Sequence, residues 1–93
     1  MIRCQTAKNS TDVKVTFILD QKEYSEPVSV VGDFNSWSPF AHVMKKRSNG
    51  TRSATVTVPA GSAVHFRYLG SDGHWFDDPE AHEVHDGGGI LNV

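Results

Sequence analysis

The sequence predicts an all-β chain, an immunoglobulin-like antiparallel β-sandwich of about seven strands. Three observations carry that expectation. Apolar and polar residues alternate in short runs, as at 12–20 and 64–69, which is the period of a strand with one face buried. Turn-forming clusters, among them Asn49-Gly50, Pro59-Ala60-Gly61 and Gly70-Ser71-Asp72-Gly73, interrupt those runs at short, regular intervals. No segment sustains the period of an amphipathic helix.

Residues 1–11 read as a flexible polar N-terminal arm, followed by one domain over 12–93. In the first strand Val13, Val15, Phe17 and Leu19 share a face, with Lys14, Thr16 and Asp20 opposite and Ile18 breaking the polar side. Polar residues 21–26 turn the chain. Pro27 opens a second strand, V-S-V-V, at a position where a missing N–H is tolerated. A third strand is expected over 42–47, and Asn49-Gly50 predicts a type I′ hairpin turn because both residues accept positive φ. Residues 51–58 form the next strand, with Ala54, Val56 and Val58 inward.

The fifth strand, 64–69, is the most regular. Val64, Phe66 and Tyr68 face the core, leaving His65, Arg67 and Leu69 outward. A glycine-bounded turn at 70–73 returns the chain into a short strand at 74–76, which Asp77-Asp78-Pro79 ends. Residues 80–89, acidic, histidine-bearing and glycine-rich, read as loop, and 90–93 as the last strand.

Composition narrows the function classes. A net charge of −2 disfavours a nucleic-acid partner, which needs clustered Lys and Arg, and the one basic run, Lys45-Lys46-Arg47, reads as a solvated hairpin arm. Cys4 is the sole cysteine, so no intrachain disulfide can form. No leader-like or membrane-length apolar stretch is visible, so a cytoplasmic protein is expected, with no membrane partner.

Enzymatic readings find little support in the residues. His82-Glu83-Val84-His85 lacks the spacing of a helical zinc motif, and His74, His82, His85 and Asp86 read as solvated loop residues, so no metal is expected. Asp77, Asp78, Glu80 and Glu83 would need a deep cleft to act as a glycosidase pair, and a small sandwich has no room for one. The expectation is a non-enzymatic chain without cofactors.

Binding chemistry is better supported. Trp37 follows a strand and the turn Gly32-Asp33-Phe34-Asn35, where turn chemistry leaves a large ring near solvent. Antiparallel return across 70–73 brings Trp75 near Arg67. Two exposed indoles beside a guanidinium suit a ring-shaped, hydroxyl-rich ligand, since aromatic faces cover the C–H side of a pyranose while polar groups take its hydroxyls.

Taken in order, G-D-F-N-S-W, P-A-G-S-A-V-H-F-R-Y and D-G-H-W-F-D-D-P resemble carbohydrate-binding module family 48. That family includes isoamylase N-terminal ("early set") domains and the glycogen-binding domain of the AMP-activated kinase β subunit. The resemblance covers about Val13 to Val93. It implies an immunoglobulin-like sandwich that binds α-1,4-linked glucan of the glycogen or starch type without hydrolysing it, as an accessory or targeting module for a glucan-metabolising enzyme.

Carried over residue by residue, the resemblance makes Trp37 and Trp75 the stacking pair. It puts Arg67 where the family's glycogen binders hold a Lys beside the sugar, and Asp33 and Asn35 in the turn presenting the first tryptophan. The family's Asn pair before the final strand falls on Gly88-Gly89, which offer no amide. The alternative reading is an immunoglobulin-like protein–protein interaction domain that has lost glucan binding, because aromatics serve protein interfaces as well.

Overall fold

Alternating strands give two antiparallel sheets that face each other across one apolar layer. The computed structural model describes residues 1–6, 11–20, 27–38, 41–78, 80–85 and 88–93; the expected turn at 21–26, Pro79 and Asp86 lie outside them. The strands are β1 (Ile2–Thr6), β2 (Asp12–Asp20), β3 (Val28–Gly32), β4 (Lys45–Lys46), β5 (Thr51–Pro59), β6 (Ala63–Gly70), β7 (Trp75–Phe76), β8 (Glu83–His85) and β9 (Gly88–Asn92). One sheet runs β1-β2-β5-β4; the other runs β3-β6-β9-β8, with β7 added to β6. Among the described residues there is no α-helix, hence none long and apolar enough to cross a membrane.

The alternation in β2 and β6 is realised as read. Val13, Val15, Phe17 and Leu19 meet Ala54, Val56 and Val58 across the β2–β5 ladder, and all seven enter the core with Val64, Phe66 and Tyr68 of β6. Phe17 is its centre, with ring centroids 4.7 Å from Phe66, 6.2 Å from Phe34 and 6.3 Å from Tyr68. Burying each such side chain contributes roughly 1.5–3 kcal/mol, which is why a chain this small can stand on two sheets. β5 also turns Arg52 inward at the end of this row, where it is buried.

Beneath Tyr68 the core becomes polar at one point. The phenol donates to Oδ2 of Asp78 at 2.7 Å, while Oδ1 accepts from the backbone N–H of Glu80 at 2.9 Å. Asp78 is only 2% exposed, so these bonds replace the water it has lost.

Nine strands are present among the described residues where about seven are expected, and the differences have local causes. Ile2–Thr6, in the segment read as an arm, pairs with β2 from Ile2↔Phe17 to Thr6↔Val13. Its polar sequence is tolerated because it is an edge strand. The strand expected at 42–47 is reduced to Lys45–Lys46 plus one bridge between Val43 and Ser29, which links this segment to the opposite sheet. Glu83–His85, read as loop, pairs with the glycines that open β9.

The Asn49-Gly50 turn also differs in type. Only Gly50 has positive φ (82°), and its N–H donates to the Arg47 carbonyl at 3.3 Å while the Arg47 N–H donates to Thr51. This is a three-residue loop with a left-handed glycine, not a type I′ turn. The Asn49 side chain accepts from the Thr51 N–H and hydroxyl, which makes the left-handed conformation at Asn49 unnecessary.

Candidate functional site

The loop after β3 is built to hold one indole outside the sheet. β3 ends at Gly32, where a Cβ would collide with the His65 carbonyl oxygen and the Phe34 ring. A 3₁₀ turn over Asp33–Asn35 follows. Phe34 drops onto the core edge, where it packs against Phe17 and His42. Asn35 closes the loop: its Oδ1 accepts from the Gly32 N–H at 3.1 Å, and its Nδ2 donates to the Val30 carbonyl and to His42 Nδ1, each at 3.0 Å. Asp33 Oδ1 accepts from the His65 N–H at 3.3 Å, tying the turn to β6.

With those anchors set, the chain passes through two left-handed residues, Ser36 (φ 55°) and Trp37 (φ 57°). Such conformations cost non-glycine residues on the order of 1–2 kcal/mol each, and the Asn35 bonds together with the Trp37 N–H to Gly32 carbonyl bond at 2.9 Å hold them. Trp37 is left 40% exposed, with its ring edge-on to His65 at a centroid distance of 5.1 Å.

Trp75 reaches the same side of the sheet by another route. Cross-strand partners share a face, and Trp75 is opposite Leu69, which alternates with the buried Tyr68. Trp75 is therefore outward, 42% exposed, with the Arg67 Cζ 5.7 Å from its ring centroid. That spacing is a cation–π contact. Arg67 Nε donates to Asp77 Oδ1 at 3.1 Å, forming an ion pair one residue beyond β7.

Position 67 is where β6 changes partner. The strand pairs with β9 from Ala63 to Phe66 and with β7 at Tyr68 and Leu69. On its other side Arg67 is opposite Val31, which is fully buried yet outside the core cluster. The outward face thus has an apolar floor at β3, a row His65, Arg67, Leu69 along β6, and an indole at either end.

The structure brings Trp37, Arg67 and Trp75 onto one face. Asp33 and Asn35 lie beneath it, with their side chains committed to backbone and His42. Sequence reasoning left two residues of this face unassigned. His65, two positions before Arg67, was legible from alternation alone as an outward neighbour. Asp77 was not, because its contact depends on the change of strand partner. The other candidates have structural work: His74 stacks on Phe76, and His82 Nδ1 accepts from the Asn92 N–H at 2.9 Å. Among the described residues, no three His, Cys, Asp or Glu side chains gather as a metal site would require.

Comparison with known proteins places this face in context. Residues 22–81 match the family model described as carbohydrate-binding module 48 (isoamylase N-terminal domain). The chain is 37% identical over 51 residues to the 1,4-alpha-glucan branching enzyme GlgB of Synechococcus elongatus, a match covering 54% of this chain and 7% of that enzyme. It is 45% identical over 53 residues to the GlgB of Ralstonia nicotianae, covering 50% of this chain and again 7% of the enzyme. The chain spans a small fraction of the length of the curated relatives it matches.

Proposed function

Since the chain belongs to the carbohydrate-binding module 48 family, we propose that it binds α-1,4-linked glucan of the glycogen or starch type without hydrolysing it. One observation carries the reading: two half-exposed indoles stand on the outward face of the sheet, at the two ends of a row along one strand. Trp37 and Trp75 stack on the C–H faces of sugar rings. Arg67 donates to hydroxyls between them. Asp33 and Asn35 support the first indole and make no ligand contact.

The expected strength is modest. If each stack is worth ~1–3 kcal/mol, as for bases on aromatic side chains, two of them little more than offset the cost of association. With hydroxyl hydrogen bonds added to the stacks, an affinity on the order of −4 to −6 kcal/mol, tens of micromolar to millimolar, is expected. A polymeric glucan compensates by presenting many sites at once. This suits an accessory or targeting module beside a glucan-metabolising enzyme, the class to which the branching-enzyme relatives belong by name.

Titration with maltoheptaose or β-cyclodextrin, followed by tryptophan fluorescence, tests the reading. A saturable change at millimolar sugar and retention on amylose resin are expected. An unchanged spectrum and no retention would sink it and leave the protein-interaction reading in its place.

A further inference from the structure

We infer that Asp77 and Gly88 are positioning residues for Arg67, which together aim its guanidinium fork over the face beside Trp75, toward neighbouring hydroxyls of one saccharide. The inference rests on the glucan reading and deepens it. It comes from the gap where β6 exchanges β9 for β7. Arg67 is paired with Val31 on the β3 side, but on this side it has no ladder partner, and it finds support from both flanking segments instead.

Gly88 supplies the first support by having no side chain. A Cβ built there would stand 2.5 Å from Arg67 Cγ, 3.2 Å from its Cδ and 2.8 Å from the Phe66 carbonyl oxygen. The arginine stem therefore lies across the glycine backbone, in space that any other residue would fill. Gly88 also has φ of 127°, which side-chain-bearing residues rarely adopt. Position 88 is glycine on two counts, and one of them is the arginine.

Asp77 supplies the second. It takes only Nε, at 3.1 Å, which pins the inner edge of the guanidinium. Of the five N–H donors of an arginine, the four on the terminal nitrogens then remain, and among the described residues none of those four has a partner. The plane is held near the Trp75 ring by the cation–π contact. A lysine could not divide its work in this way, because its single nitrogen would be drawn to Asp77 or to the sugar. The arrangement selects for a ligand with two adjacent hydroxyls presented to a fixed fork, next to a ring face that can stack.

The test uses the full chain as wild type, Asp77→Asn, Arg67→Lys, the double variant of these two, and Gly88→Ala. Two quantities are read: maltoheptaose affinity by fluorescence, and solvent exchange of the Arg67 Nε–H by NMR in the sugar-free protein. Asp77→Asn is expected to keep its urea midpoint nearly unchanged, to speed exchange of the Nε–H, because an amide oxygen is a weaker acceptor than a carboxylate, and to bind roughly two- to fivefold more weakly, the range for a partly exposed ion pair. Arg67→Lys should bind more weakly too, and adding Asp77→Asn to it should cost nothing further, because the residue being positioned is gone. Gly88→Ala should weaken binding at least as much; if it fails to fold, the other three variants, read against wild type, still decide. Asp77→Asn binding like wild type, an Nε–H indifferent to that change, or losses that simply add would overturn the inference. A wild type that binds no sugar overturns the glucan reading first and this one with it, and is recognised because every chain is then equally silent.

Discussion

Trp37 stands edge-on to His65, with ring planes at 89°, and this contact falls four residues before Leu69, the ladder partner of Trp75. Four residues of strand span about 13 Å, so the two points of β6 beside which the indoles stand are a short oligosaccharide's length apart. On the proposed reading, an oligosaccharide lying along the strand would meet both rings and cross Arg67 on the way. Trp37→Ala and Trp75→Ala should each weaken maltoheptaose binding by roughly 1–3 kcal/mol, and the double variant should pass through amylose resin unretained. Both rings are half-exposed, so the urea midpoints should barely move. A single variant that binds as well as wild type would remove that ring from the site.

The Tyr68 hydroxyl is a stability element with no place in binding. Tyr68→Phe keeps the ring in the core and strips a buried carboxylate of one of its donors. The expected cost is about 1–3 kcal/mol, seen as a lower denaturation midpoint with sugar affinity intact. Asp78→Ala should cost at least as much, since the phenol and the Glu80 N–H both lose their acceptor.

Loop variants separate folding from presentation. Gly32→Ala places a methyl against the His65 carbonyl and should destabilise the whole sandwich, by roughly 1–3 kcal/mol, the range for overpacking a filled site. Asn35→Ala cuts the bonds that tie the turn to Val30 and Gly32 at the end of β3 and frees the turn. Its signature should be lower fluorescence anisotropy of Trp37, measured in a Trp75→Phe background, with weaker sugar binding. A Trp37 as immobile as before would mean that Asn35 does not hold the loop.

Cys4 gives a pH-dependent prediction. Partial desolvation raises its thiol pKa above the ordinary value. A raised pKa means less thiolate at a given pH, so iodoacetamide should react more slowly with the native chain at pH 8 than with the urea-unfolded chain. The sign for stability follows: this small contribution is complete below the unfolded thiol pKa and is lost as pH rises through the folded one. Equal alkylation rates in the two states would contradict it.

Most of the architecture was legible because β2 and β6 alternate cleanly, and alternation decides which side chains enter a core. The same rule put Arg67 outward and, through the return at 70–73, put Trp75 beside it. What escaped was structure without a hydrophobic signature. β1 buries little of its own, and β8 is held to β9 by backbone bonds that glycines make available. The Asn49-Gly50 turn misled for a related reason: the dipeptide permits a type I′ turn, but the Asn49 bonds to Thr51 favour another geometry. Asp77 lay beyond reach because its partner is set by where one strand stops and another begins.

That junction at Arg67 divides the two ends of the face mechanically. The Trp37 end rests on a stretch of β6 that is paired with β9 over four positions, and its own loop is bolted down by Asn35. The Trp75 end hangs from a ladder only two positions long. Short ladders open at lower free energy than long ones. One end of the face is fixed and the other can give, so under the proposed glucan reading the Trp75 end adjusts to a ligand without disturbing the sandwich behind it.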